Sequence, residues 1–421
     1  MRRKQSRFIC AAAAALGQWW AWSAAGSSAL AADLRSVYIG AAEAREAWIC
    51  WGVTGPSGNT IGRGSKPLGE AAVEIGGKTH RTKQNWMHVT GLEPDTRYPF
   101  RVLVNGKPFG EGALRTHPER ATRLRFFVMG DYGSGAAPQY KIAEAMEKEF
   151  EKHENSNNPV RFLLTTGDNI YGAHFGVYVR NSGDKDRHWQ AKFFQPYARL
   201  LARIPFYPTL GNHDGDESEN RGDLDVYMDN FAFPGFQPAR WYQFRYANLA
   251  EFFALDSTEN GLRKKKAWQP GGEQEKWFER HLTGSRAPWK IAIWHHPPFT
   301  AGPRHEASLE WMRSAVDLAA KHGVQAVFNG HEHNLQIVKR NGETGGVQYV
   351  VSGSAGELRG RPVQERLEAS NIAAWSPQWQ FLSVEIEGDE MRIQPVSFEP
   401  LRAVTGTGEP YPFPLTVRRA K

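Results

Sequence analysis

Cysteine is scarce in this chain: 421 residues hold two, Cys10 and Cys50. Cys10 falls in an amino-terminal stretch that reads as removable, so Cys50 has no mate and an intrachain disulfide framework is excluded. An uninterrupted apolar run long enough to cross a bilayer is also lacking, because Gln18 and the Ser/Gly spacing behind it break the best candidate. What is left in "MRRKQSRFICAAAAALGQWWAWSAAGSSALAA" is a basic start, an apolar stretch and the small-residue site "ALA" at 29–31. That is the pattern of a secretory signal over residues 1–31, with an uncleaved anchor as the competing reading. Strong charge of one sign is missing too. The formal net charge is +7, and the signal carries four of the basic residues and no acidic one, so the mature chain is left at +3. The block "RKKK" at 263–266 has no interleaved aromatic pattern and reads as solvated surface, so nucleic acid is not an expected partner. No internal repeat is visible, and 12% aromatics argue for packed structure over disorder. An exported chain without disulfides must rely on its core, on metals or on both.

What is present falls into two textures. Over residues 36–117 short alternating segments are separated by turn signals, as in "AWICWGVTG", "EAAVEIGGK" and "NWMHVTGLEPDTRYPFRVLVNGK", which predicts a small all-β sandwich with Trp51 in its core. Leu92, Pro94, Thr96 and Tyr98 in "LEPDTRYPFRV" have the pattern of a tyrosine corner, and here the chain resembles a fibronectin type III domain. The polar stretch "THPERATR" (116–123) reads as a linker. Over residues 124–400 apolar strands alternate with helical patterns such as "PQYKIAEAMEKEF" and "EASLEWMRSAVDLAAKHG", which predicts a layered α/β domain. Residues 401–421 read as an irregular tail.

Five times in the second region, groups suited to metals follow an apolar strand. "RLRFFVMGDYG" ends in Asp131, "RFLLTTGDNIY" in Asp168 and Tyr171, "PFYPTLGNHD" in Asn212, "WKIAIWHHPP" in His295 or His296, and "VQAVFNGHEHN" in His331 and His333. Each motif alone is weak, since an acid after a strand is commonly a helix cap and a histidine there a hydrogen-bonded loop residue. Together they gather carboxylates, an amide oxygen, a phenol and imidazoles at the carboxyl ends of strands, where α/β sheets build their sites. Two closely spaced cations need a shared ligand, and one carboxylate can serve both. Asp168 is the natural bridge, and the two histidines of "GHEH" can give one nitrogen to each ion. Asp256 in "FFALDST" reads as a structural acceptor, and His174 has no chemical assignment.

These motifs, "GDYG", "GDNIY", "GNHD", the histidine after the fourth strand and "GHEHN", resemble the metallophosphoesterase superfamily and imply its calcineurin-like layered α/β fold. Most branches of that superfamily place a histidine two residues after the first aspartate. This chain has Gly133 there and offers Tyr171 instead, as purple acid phosphatases do; the likeness over 124–400 is strongest to the small tartrate-resistant type. The resemblance implies that Asp131, Asp168, Tyr171 and His333 hold Fe(III), and that Asp168, Asn212, His295 and His331 hold a second divalent ion, Zn, Fe or Mn. His295 is preferred over His296 on the family's spacing. A phenol of pKa about 10 is deprotonated near neutrality only by a strong Lewis acid, an independent argument for iron(III). With an anionic oxygen added to the three anionic side chains, a ferric–divalent pair keeps about one positive charge, which suits a phosphate dianion.

The activity implied is that of an exported acid phosphatase, hydrolysing small phosphomonoesters by in-line attack of a metal-activated hydroxide. His213 and His305 are the candidate proton donors to the leaving group. Two alternatives stand beside it: a phosphodiesterase or a nucleotide or pyrophosphate hydrolase on the same centre, and a non-catalytic surface-binding protein. The partner of the sandwich is not legible in the sequence.

Overall fold

The strand Leu34–Ala42 buries every residue from Ser36 onward, where a strand covering one side of a sandwich would alternate. Both its faces are therefore covered, and the computed structural model shows by what. The structure describes residues 33–55, 58–59, 61, 65–172, 188–214, 224–260 and 265–419. The expected signal and His174 lie outside them, and among the described residues no helix is long and apolar enough to cross a membrane.

Two four-stranded sheets open the chain. One joins Leu34–Ala42, Glu46–Gly55, Gly58–Asn59 and Trp86–Thr90; the other runs Lys78–Thr82, Ala71–Ile75, Arg97–Val104, Lys107–Arg115, and all the pairings are antiparallel. Ile39, Ile49, Trp51, Val73, Val89, Val102 and Leu114 fill the space between them, as the alternation predicts. Tyr98 closes the expected corner by accepting the backbone N–H of Glu93 at 2.8 Å. The outward residues Tyr38, Trp48 and Cys50 belong instead to the apolar cluster of the following layers. Tyr38 meets Phe194 with ring centres 5.8 Å apart, and Trp86 meets Phe236 at 4.7 Å. Gly40 permits this approach, since a Cβ there would stand 2.5 Å from the Cβ of Ala232.

The α/β region is two sheets face to face with helices outside. The six-stranded sheet runs Phe206–Tyr207, Val160–Thr165, Arg123–Met129, Phe381–Glu387, Glu390–Val396, Leu415–Arg418. The seven-stranded sheet runs Tyr242–Tyr246, Ala250–Ala254, Trp289–Ile293, Ala326–Asn329, Gln348–Ser352, Leu335–Val338, Ile372–Ser376. Phe126 and Phe162 of the first sheet pack edge-on against Phe252 of the second at 5.4 and 5.2 Å, so aromatic rings lock the two layers. Helix Ala137–Glu154 buries Ile142, Ala143, Met146 and Phe150, and helix Leu309–Lys321 buries Met312, Ala315, Val316 and Ala319, each at the spacing of one helical face. The strands ending at Met129, Thr165 and Tyr207 are parallel neighbours in one sheet, and those ending at Ile293 and Asn329 are parallel neighbours in the other. All five motif loops thus leave carboxyl ends of parallel strands.

Two sequence readings need correction. The tail expected to be irregular carries the strand Leu415–Arg418, which pairs with Glu390–Val396 and forms one edge of the six-stranded sheet. The expected linker starts in the interior: Thr116 and His117 are buried, and Arg161 donates to the Thr116 carbonyl at 3.1 Å and to Asp95 at 2.7 Å.

His117 gives a testable consequence. Neither ring nitrogen has a hydrogen-bond partner, and the rings of Tyr246 and Phe162 stand 5.0 and 6.2 Å away. Burial, reinforced by the nearby Arg161 charge, pushes its pKa from 6.5 down to about 3. The unfolded chain takes up that proton below about pH 6.5 while the fold refuses it, so stability drains as pH falls from about 6.5 toward 3. His117→Leu should remove about 2 kcal/mol of the stability lost between pH 6.5 and 4.5. Urea unfolding at both pH values checks this, because a fixed packing cost cancels when each protein is compared with itself.

Candidate metal centre

The five loops converge on two groups of donor atoms. In the first, Asp131 Oδ1, Tyr171 Oη and His333 Nε2 are separated by 3.3, 3.1 and 3.4 Å. In the second, Asn212 Oδ1, His295 Nε2 and His331 Nδ1 are separated by 2.9, 2.8 and 3.2 Å. Asp168 stands between: its Oδ2 is 3.4 Å from His295 Nε2, and donor atoms of Asp131, Asp168 and His295 all lie within 4.8 Å of one another. An ion bonded at about 2.0–2.2 Å holds the donor atoms of neighbouring ligands about 2.8–3.6 Å apart, from right-angled to tetrahedral placement. The spacing in both groups falls within that range.

Proton counting supports the same fit. His295 Nδ1 faces the Thr166 carbonyl at 2.8 Å, which must accept, so in the neutral ring the lone pair is on Nε2. That lone pair points at the amide oxygen of Asn212, which His331 Nδ1 also faces. Asp168 Oδ1 accepts the His213 backbone N–H at 2.8 Å, but its buried Oδ2 has no hydrogen-bond partner among the described residues and faces His295 Nε2 at 3.4 Å. Such an arrangement is unfavourable unless positive charge sits inside it.

The loop backbones are bent to aim these groups. Asp131, Asp168 and His331 adopt φ of +55°, +48° and +72°, conformations that cost side-chain-bearing residues about 1–3 kcal/mol each. Gly167, at φ +100°, turns the chain into Asp168, and a Cβ on Gly330 would stand 2.4 Å from Asp131 Oδ2. Asp214 then ties two loops together. Its carboxylate accepts the backbone N–H of Gly211, Asn169 and Ile170 at 2.8, 2.8 and 3.1 Å.

Without cations the electrostatics are strained. Burial pushes Asp131 up to about 8, aided by the neighbouring Asp168 charge, while the His295 charge overcomes burial and holds Asp168 below the usual carboxylate range. Burial also lowers His295, but Asp168 and Asp131 outweigh it and hold that ring up at about 10. Tyr171 is driven well above 10 by burial and by the two aspartates. Cations placed among these groups favour the ionised form of Asp131 and Tyr171, reinforce that of Asp168 and displace the proton from His295.

His296, the rival to His295, has a different partner. Its Nδ1 lies 2.9 Å from Ser257 Oγ and its ring leans on His331 at 4.4 Å, yet donor atoms of His295, His296 and His331 all lie within 4.8 Å of one another, so it stays beside the second group. His213 stands beside Tyr171 with ring centres 4.8 Å apart, its pKa lowered by burial against the pull of Asp168. His305 lies over His331 at 3.9 Å, and burial followed by the Arg359 charge pushes its pKa down to about 3. Asp256 is the structural acceptor expected of it, taking Arg240 and the N–H of Thr258.

Four residues at the site escaped the sequence reading. Asp214 was seen only as a neighbour of His213. Glu332, inside "GHEH", accepts the backbone N–H of Arg304 at 3.3 Å and of His305 at 2.5 Å and so fixes that loop. Lys192 is buried and donates to the Tyr171 carbonyl at 2.6 Å, and Arg359 donates to His305 Nε2 at 3.0 Å. The last two are remote in sequence from the groups they touch, and no spacing rule marks them.

The family model of the calcineurin-like phosphoesterases matches residues 124–335. An uncharacterized Mycobacterium tuberculosis protein is 24% identical over 317 residues, covering 68% of this chain and 58% of its own length. Purple acid phosphatase 15 of Arabidopsis thaliana is 25% identical over 305 residues, 64% of this chain and 53% of that protein. The tartrate-resistant acid phosphatase type 5 of Oryctolagus cuniculus is 27% identical over 271 residues, 59% of this chain and 75% of that protein. The chain thus spans little more than half the length of the first two relatives. Among solved structures, PhoD superposes with a TM-score of 0.63 at 15% identity over 90% of this chain and 92% of its own. The purple acid phosphatase PPD1 of yellow lupin gives 0.63 at 16%, over 90% and 73%. At such identities these structures speak for the fold alone.

Proposed function

We propose that this chain, which belongs to the calcineurin-like phosphoesterase family, hydrolyses phosphomonoesters at a mixed-metal centre after export. The observation that carries the reading is the pair of donor groups meeting at Asp168, whose buried Oδ2 has no hydrogen-bond partner among the described residues. Fe(III) is assigned to Asp131, Asp168, Tyr171 and His333, and a divalent Zn, Fe or Mn ion to Asp168, Asn212, His295 and His331. Bound there, the pair would supply Lewis acidity toward water and toward the phosphate of the substrate. The remaining roles belong to side chains. Asp214 and Glu332 hold the loops, Thr166 fixes the tautomer of His295, and His213 and His305 stand at the mouth to serve the leaving oxygen.

Both of those histidines are held toward their neutral form in the free site, so the proton donor must be made by the substrate. A phosphate dianion beside His305 raises its pKa and favours the imidazolium that the leaving group needs. His305→Ala should lower kcat on alkyl monoesters about 100-fold and leave metal content unchanged, since no donor atom of either group comes from it. Steady-state kinetics beside elemental analysis checks both halves, and lost metal would move His305 among the ligands.

The reading as a whole is tested by metal analysis and a visible spectrum of the purified mature protein, with aryl monoesters, diesters, nucleotides and pyrophosphate as substrates. Preference for diesters or nucleotides would replace the monoesterase reading. Inactivity on all of them with the metals in place would leave the non-catalytic alternative.

A further inference from the structure

Among the described residues, Arg359 is the strongly basic side chain that hydrogen-bonds His305, and it is not used by the chemistry above. Its backbone N–H donates to the His333 carbonyl at 2.8 Å, so its root lies beside the first donor group. Its Nη1 reaches His305 Nε2 at 3.0 Å, and that ring lies 3.9 Å from the ring of His331 in the second group. Arg359 therefore runs from beside the first donor group to the histidine that covers the second. It is half-buried, and among the described residues no carboxylate lies within ion-pair distance of it. A neutral imidazole nitrogen is a poor partner for a guanidinium, whose planar fork matches the oxygens of phosphate.

We infer that Arg359 is a substrate-binding residue that clamps a terminal phosphate oxygen at the site mouth and makes the site select monoesters over diesters. The inference rests on the phosphoesterase reading and narrows its substrate. A phosphate seated against the two donor groups turns its outer face to Arg359 and His305. In a monoester that face carries a charged oxygen, which takes the guanidinium from His305. In a diester an organic group stands there, and a fork of N–H donors loses water without gaining a partner. The same exchange releases His305 Nε2 from Arg359 when substrate arrives.

The test uses the metal-loaded protein. Arg359→Ala should weaken inorganic phosphate binding, read by calorimetry, about 10–100-fold. It should lower kcat/KM for an aryl monoester by a similar factor and for the corresponding diester far less, so that discrimination drops at least about tenfold. Metal content should hold, because the tie to His333 is a backbone one, and Arg359→Lys should restore phosphate affinity only in part. Arg361→Ala, an exposed neighbour, is the control and should change nothing. A purely positioning role is separated by repeating Arg359→Ala in a His305→Ala background. If Arg359 acted only through His305, phosphate affinity there would not move, and that result overturns the proposal, as does an unchanged monoester-to-diester ratio. A wild-type protein inactive on every ester sinks the function proposed above instead, and phosphate affinity alone then decides the role of Arg359.

Discussion

Asp168→Asn should abolish phosphatase activity, lowering kcat/KM roughly 1,000-fold or more, and should strip metal from both donor groups together while the fold survives. The substitution is nearly isosteric, and its effect comes from charge and from lone pairs. Asp168 is completely buried, spends Oδ1 on the His213 backbone N–H and leaves Oδ2 with no hydrogen-bond partner among the described residues, 3.4 Å from His295 Nε2. An asparagine keeps one acceptor, which the His213 N–H takes, and turns a pair of N–H donors toward the ions. The carboxylate is also what holds the His295 ring up, so its loss changes the second donor group as well. Elemental analysis should show both metals reduced; loss of one with the other at full occupancy would remove Asp168 from the bridging position. The metal-stripped proteins should also differ in stability. Without cations the ionised Asp168 pairs with His295, which holds its pKa below the usual carboxylate range, so the stripped variant loses that pairing and should unfold at a lower temperature than stripped wild type.

The convergence of the candidate ligands was legible in the sequence because each follows a strand within a few residues. A run such as "RFLLTT" fixes where the backbone emerges, and parallel pairing of Arg123–Met129 with Val160–Thr165 then brings Asp131 and Asp168 side by side. The sandwich was legible for the same reason, since alternation within Ala71–Ile75 or Trp86–Thr90 names its inner face. What escaped depends on contacts between distant segments. Nothing near Arg359 announces that its side chain ends at His305, and Lys192 meets the Tyr171 carbonyl from another element. Strand Leu34–Ala42 did carry a signal in "SVYIGAA", a run apolar on both faces. It says that a second surface covers the strand without saying which one. Leu415–Arg418 is too short and too near the end for alternation to register, and only its ladder with Glu390–Val396 defines it.

Tyr171→Phe should leave a colourless protein that gives up iron readily and retains the divalent ion. The phenol oxygen lies 3.3 Å from Asp131 Oδ1 and 3.1 Å from His333 Nε2, so the variant removes one corner of the first donor group and none of the second. Packing should change little, because the ring of His213 leans at a tilt of 50° against the aromatic body, which phenylalanine keeps. The energetic case is the phenol's own pKa. Burial and the charges of Asp131 and Asp168 raise it well above 10, so an ionised Tyr171 exists only if a strong Lewis acid removes its proton. A ferric ion does this, and phenolate-to-iron charge transfer then gives a visible band; a divalent ion in the same place gives neither. The band should therefore vanish with the hydroxyl, and iron should leave to a chelator at least about tenfold faster, whereas His295, His331 and Asn212 keep their hold on the other ion. Visible spectroscopy during a chelator challenge reads both effects, with divalent-ion content as the internal control. If wild type proves colourless and iron-free, and Tyr171→Phe turns over monoesters at the full rate, the ferric assignment falls and with it the reason for a tyrosine at this position.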